Sequence, residues 1–167
     1  KILFIGRNNA GKTALIHRAK GRLSRYHHPD HEPQLHEVIF GKQSCLAFEQ
    51  DFNNPTRTKF AETDAEGLVF VVDASGDERF DEARDRFYEV LLLELLGHAI
   101  NVPVLILANK SEHIQAAPEI ELYFHLKVSQ LVEMGNAKGA WNVKMFMCSA
   151  EWGTGYQEVF AWLGDRL

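Results

Sequence analysis

The stretch "GRNNAGKT", Gly6 to Thr13, matches the pattern G-x-x-x-x-G-K-[ST] at every fixed position. Residues of these types at this spacing hold phosphate. Glycines let backbone N–H groups turn toward an anion, and the N-terminus of the helix that follows adds positive potential. Lys12 is placed to reach the β- and γ-phosphates of a nucleoside triphosphate, and Thr13 to offer its hydroxyl to Mg2+. The candidate phosphate cradle is therefore Asn8, Asn9, Ala10, Gly11, Lys12, Thr13 and Ala14, with Thr13 also the candidate metal ligand.

Two later stretches could complete a nucleotide site. Asn109-Lys110-Ser111-Glu112 follows the apolar run Val102 to Ala108 and resembles the N-K-x-D base-reading motif of small GTPases. In that motif the acidic residue accepts from the N1–H and exocyclic amine of guanine, an edge that adenine lacks. Here the residue is Glu112, one methylene longer than the usual aspartate, so a guanine preference is expected in weakened form. A well-formed charge-assisted bond lost here costs on the order of 1–3 kcal/mol. Cys148-Ser149-Ala150 resembles the S-A element that backs guanine with a main-chain N–H. Asn109, Lys110, Glu112, Ser149 and Ala150 join the candidate nucleotide-binding residues.

The elements that must position these residues are legible as alternating apolar runs and amphipathic stretches. Ile2 to Ile5 reads as a strand buried on both faces, followed by a short helix over Thr13 to Lys20. Ser24 to Gln34 is polar and carries two prolines, so it reads as a loop. Leu35 to Phe40 and Ser44 to Glu49 read as strands of a hairpin turning at Gly41-Lys42. Asp51 to Thr63 is a second loop candidate, and Leu68 to Asp73 a second buried strand. Asp77 to Ile100 reads as one long helix with Asp77 as N-cap and Phe80, Ala83, Phe87, Val90, Leu91 and Ala99 inward. Pro118 suits the first turn of a helix over Glu119 to Glu133. Lys144 to Cys148 reads as the last strand, and Tyr156 to Leu167 as a closing helix with Phe160 and Leu163 inward.

Strands alternating with helices imply an α/β fold whose mostly parallel sheet is covered on both faces, with one antiparallel edge strand from the hairpin. Ligands in such sheets sit at the carboxyl ends of the strands. The loops after Ile5, Ala108 and Cys148 all fall at that edge. The chain of 167 residues is one domain's worth, 1–167. Its 46% hydrophobic and 25% charged residues suit a soluble globular protein, and its net charge of −5 argues against a nucleic-acid partner. No run approaches the ~18 residues of a membrane span. The chain opens at Lys1, directly into a strand, and is expected to be part of something longer, so that any membrane association comes from a segment outside it.

Several other residues have plainer readings. Cys45 and Cys148 are expected to be reduced core thiols. The cluster His27, His28, His31 and His36 lacks Cys or carboxylate partners at ligand spacing and reads as a solvated loop rather than a zinc site. "DERFDEARDR" reads as the solvated face of the long helix, and Trp141, Trp152 and Trp162 as packing residues.

The order of elements, with "NNAGKT", "NVPVLILANK" and "MFMCSAEWGTGYQEVFAWL", resembles the Arf/Sar branch of the small GTPase family over essentially the whole chain. The C-terminal stretch is most similar to the Sar type, which recruits the coat for export from the endoplasmic reticulum. The resemblance implies a P-loop small-GTPase fold in three layers, bound GTP or GDP with Mg2+, a guanine-nucleotide switch in vesicle traffic, and work at the cytosolic face of the endoplasmic reticulum or Golgi. It implies a coat or receptor protein partner at the switch and hairpin face.

The middle of the chain departs from the family. The family's first switch supplies a threonine to Mg2+; matching Pro29 and Pro33 to its paired prolines puts Gln34 there, a poor ligand. The second switch reads D-x-x-G followed by Gln or His. The equivalent here is "EQDFN", Glu49 to Asn53, or in another frame "DFNNP", Asp51 to Pro55. Neither has the glycine or a catalytic Gln or His, so no catalytic residue is assigned and weak or no hydrolysis is expected. The alternative implied is a pseudo-GTPase scaffold akin to the beta subunit of the signal-recognition-particle receptor.

Overall fold

The first strand, β1 (Ile2–Gly6), is wholly buried and hydrogen-bonds in parallel to two neighbours, so it sits mid-sheet. The computed structural model describes residues 1–20, 35–51, 53–54, 60–76, 80–92, 101–139 and 141–167. After β1 come α1 (Lys12–Ala19), β2 (His36–Phe40), β3 (Gln43–Asp51), a short turn of 3-10 helix (Phe60–Glu62) and β4 (Gly67–Asp73). Then follow α2 (Phe80–Val90), β5 (Val102–Asn109), α3 (Glu119–His125), α4 (Val128–Lys138), β6 (Trp141–Met147) and α5 (Gln157–Gly164). The six strands run in the order β2-β3-β1-β4-β5-β6, and only β2 is antiparallel to its neighbour. This is the α/β sheet with one antiparallel edge that the sequence leads one to expect.

Alternation along the strands divides the core in two. Leu3, Ile5, Leu68, Phe70, Val72, Val104 and Ile106 face α2, α3 and α4, where Phe70 stacks on Phe87 with ring centroids 4.0 Å apart. Ile2, Phe4, Val69, Val71, Leu105 and Leu107 face the other way, onto Leu15 and Ile16 of α1 and Val159, Phe160 and Leu163 of α5. Burying both faces needs the near-continuous apolar runs of β1, β4 and β5. Register then fixes one edge: Gly6 lies opposite Asp51, and Asp73 opposite Asn109, so the strands' carboxyl ends are level.

Several boundaries differ from the sequence reading: β3 runs on to Asp51, α4 to Lys138, and α5 ends at Gly164. The helix expected over Glu119 to Glu133 is two helices, broken at Lys127, whose φ of 49° and ψ of 45° are left-handed. A continuous helix would aim Leu126 and Val128 about 200° apart around the axis, yet both are buried, at 1% and 2% exposure. The break lets both reach the core. Pro118 is the N-cap of α3, in extended conformation, and Glu119 takes the first turn. β6 starts at Trp141 rather than Lys144, because Trp141, Val143 and Met145 alternate inward.

The inward Phe80, Ala83, Phe87 and Val90 of α2 and Leu91 after it are as expected. Asp77 and Ala99, with the remainder of the long helix, lie outside the described residues, as do Ser24 to Gln34, the histidines His27, His28 and His31, and Pro55. Cys45 and Cys148 are free thiols, as expected; Cys148 is buried and Cys45 partly so. Trp141 is core, whereas Trp152 is 68% exposed. Among the described residues no helix is long and apolar enough to cross a membrane, and no group of three metal-ligating side chains is found.

Candidate nucleotide-binding site

At the end of β1 the chain turns through Arg7, Asn8 and Asn9 into α1. Asn9 takes φ 64° and Gly11 φ 97°, and the Ala10 N–H donates to the Arg7 carbonyl at 3.2 Å. Gly11 is required here twice over. Its φ is open to glycine at little cost, and a Cβ on it would overlap Asn109 Nδ2. No side chain caps α1, and its first turn carries no acidic residue. The N–H groups of that turn, at Thr13 and Ala14, have no intrahelical carbonyl to bond, the condition under which a helix N-terminus binds an anion.

Lys12 lies folded across this loop, 7% exposed, donating to the carbonyls of Gly6 at 3.2 Å and Arg7 at 2.9 Å. Burial holds its ammonium below the ordinary lysine value, against the opposing pull of Glu49 and Asp51. Reaching a phosphate means exchanging those carbonyls for phosphate oxygens. The Thr13 hydroxyl donates to Glu49 Oε1, while Glu49 Oε2 is buried with no hydrogen-bond partner. Of the two possible frames for the second switch, the one beginning at Glu49 therefore meets the phosphate loop. Asp51 is used locally, accepting from the Asn53 N–H at 2.8 Å.

The base-reading stretch is tied to the same loop by one side chain. Asn109, 2% exposed, donates through Nδ2 to the Ala10 carbonyl at 2.9 Å and accepts through Oδ1 from the Ala150 N–H at 2.9 Å. One amide thus joins the phosphate loop, the end of β5 and the loop after β6. The Ala150 N–H, expected to back a base, is spent on this link. Ser149, fully buried, accepts from the Trp152 N–H at 2.9 Å. Arg18 of α1 holds the same loop from below, donating to the carbonyls of Ala150 at 2.7 Å and Glu151 at 2.5 Å.

Lys110, in the left-handed region at φ 65°, sends Nζ to Asp73 Oδ2 at 2.6 Å. Asp73 also accepts from the N–H and hydroxyl of Ser75, at 3.0 and 2.6 Å. Burial pushes the Asp73 carboxyl up, but the bonds from Lys110 and Ser75 outweigh it and hold it below the ordinary value. Glu112 has Oε2 buried with no hydrogen-bond partner among the described residues. Its charge adds to burial in pushing the neighbouring Cys148 thiol up to about 12. An orphaned, buried carboxylate oxygen is an acceptor waiting for a donor, which the N–H edge of a base would supply.

The structure thus joins the loop of Asn8 to Ala14 and the loop of Ser149 and Ala150 through the two bonds of Asn109, with Lys110 and Glu112 on the adjoining loop. Asp73, Glu49 and Arg18 complete the frame. Asp73 and Glu49 were visible as acidic residues closing apolar strands; nothing in the sequence marks Arg18. The donor set suits a nucleotide: a helix N-terminus and Lys12 for phosphate, Thr13 and Glu49 oxygens for a hard cation, and the Glu112 carboxylate for base N–H groups.

A P-loop loop-and-helix at the carboxyl edge of a mostly parallel sheet, with an Asn-Lys stretch at the end of β5, two strands over, defines the small-GTPase class of nucleotide-binding protein. The model of the ADP-ribosylation factor family matches residues 1–167, and the chain belongs to that family. It is 30% identical to the small COPII coat GTPase SAR1 of Giardia intestinalis over 99% of this chain and 88% of that protein. It is 30% identical to the small COPII coat GTPase SAR1 of Nicotiana tabacum over 100% of this chain and 89% of that one. Against the ADP-ribosylation factor-like protein 2 of Arabidopsis thaliana the figure is also 30%, over 98% and 84%.

Proposed function

We propose that this chain is a Sar/Arf-like domain, folded as one unit over 1–167, that holds GTP or GDP and hydrolyses GTP weakly or not at all. The observation that carries the reading is the pairing of a phosphate loop with an orphaned buried carboxylate oxygen on Glu112, the two joined through Asn109. Asn8 to Ala14 receive the phosphates, Lys12 turning onto them; Asn109 holds the frame; Lys110 covers one side; and Glu112 reads the base, with Ser149 and Ala150 closing the loop behind it. Mg2+, when bound, would supply charge neutralisation to the phosphates, with Thr13 among the residues that would hold it. The weak hydrolysis follows from the "EQDFN" segment, which brings a carboxylate to Thr13 but has no glycine and carries Asn53, not Gln or His, at the catalytic place.

Likeness to the COPII coat GTPases supports a role in vesicle traffic at the cytosolic face of the endoplasmic reticulum or Golgi. The hairpin offers a protein partner its exposed face, where Leu35, Ile39 and Leu46 are 56%, 63% and 37% exposed. The absence of a water-positioning residue in "EQDFN" also favours a second reading, a non-hydrolysing scaffold that keeps its nucleotide. Single-turnover hydrolysis of bound GTP, beside GTP and GDP affinities, tests both. A cycling GTPase turns over bound GTP and separates the two nucleotides; the reading proposed here expects GTP to persist. Fast intrinsic turnover would overturn it.

A further inference from the structure

We propose that Glu49 is a direct ligand of the nucleotide's metal ion, taking the coordination place that Gln34 is ill suited to fill. This deepens the nucleotide-binding reading above and rests on it.

Position comes first. β3 runs in register with β1, Phe4 opposite Glu49 and Gly6 opposite Asp51, so Glu49 stands beside the root of the phosphate loop. Its Oε1 already accepts from the Thr13 hydroxyl. The hydroxyl and carboxylate oxygens are in contact, so both would be available to hold one hard cation, which would supply the charge that offsets the phosphates. An aspartate here would stop a methylene short and act through a water.

Availability and charge agree. Asp51 caps the turn at Asn53, and Asp73 is held by Lys110 and Ser75. Glu49 Oε2 is buried without a partner, so this side chain still has coordination capacity. Glu49 and Asp51 both lie close enough to Lys12 to act on it electrostatically, and so stand near the place where phosphate would sit. Carboxylates and phosphate repel one another there unless a cation lies between them.

The test uses the whole chain loaded with GDP, with Mn2+ in place of Mg2+. Titration gives the metal affinity of the wild type and of Glu49→Gln and Glu49→Asp, and broadening of the Mn2+ resonance by oxygen-17 water counts its bound waters. Glu49→Gln is expected to weaken metal binding by roughly 10–100-fold or more. Glu49→Asp, which keeps charge and fold, is expected to gain one bound water. Unchanged affinity in Glu49→Gln, or the wild-type water count in Glu49→Asp, overturns the proposal while the nucleotide reading stands. GDP binding that ignores Mn2+ in the wild type does the same; failure to bind GDP at all overturns both.

Discussion

Asn109 is the residue on which the candidate site turns, because its one amide satisfies the Ala10 carbonyl and the Ala150 N–H in the interior. Asn109→Ala leaves both unpaired, and each orphaned group costs on the order of 1–3 kcal/mol. Urea unfolding should therefore show a loss of that size or more, together with weaker nucleotide binding. The Asp73–Lys110 pair makes a pH-dependent contribution whose sign is fixed. Asp73 is held below its ordinary value of 3.8, so the folded state binds fewer protons there than the unfolded chain. The stabilisation is full above that ordinary value and is lost as pH falls through the lower folded one. The stability gap between wild type and Asp73→Asn should stay level from neutral pH to about pH 5 and close below 3.8. At this scale the sequence was most informative where one residue type has one use. Lys12, Thr13 and Asn109 stood out by motif, but the fold given to Asn109 and the grip of Arg18 on the loop after β6 depend on partners 99 and 132 residues away in the chain.

Among the elements, the strands buried on both faces were plain as apolar runs, and the hairpin was plain from its turn. The split between α3 and α4 was not, since the helical pattern of Glu119 to Glu133 hides a change of buried face at Lys127. Nor was the start of β6, because Asn142 is an outward residue of an alternating strand rather than loop. The packing of α4 on β6 offers a direct check. Trp141 Nε1 donates to the Leu131 carbonyl at 2.9 Å, and a Cβ at Gly135 would overlap the Trp141 ring and carbonyl. Gly135→Ala gains helix propensity of under about 1 kcal/mol but overpacks this contact, which typically costs 1–3 kcal/mol. Thermal unfolding of the variant should show net destabilisation; a stabilised variant would mean that α4 can move off the sheet at no cost.

For the molecule as a whole, nucleotide binding is also stability. A ligand that binds the folded chain alone raises its stability by about 2.7 kcal/mol at one hundred times its dissociation constant. GDP and GTP should each raise the melting temperature in proportion to the logarithm of their concentration, and ATP should do so far less. In the function proposed, the phosphate loop and Glu112 together hold a guanine nucleotide. Equilibrium titration with fluorescent GDP, GTP and ATP, on the wild type, Lys12→Ala and Glu112→Ala, tests it most directly. The expected result is guanine-selective binding, weakened for every nucleotide by Lys12→Ala and stripped of its selectivity by Glu112→Ala. Equal affinity for ATP and GTP, or no binding by the wild type, would contradict it.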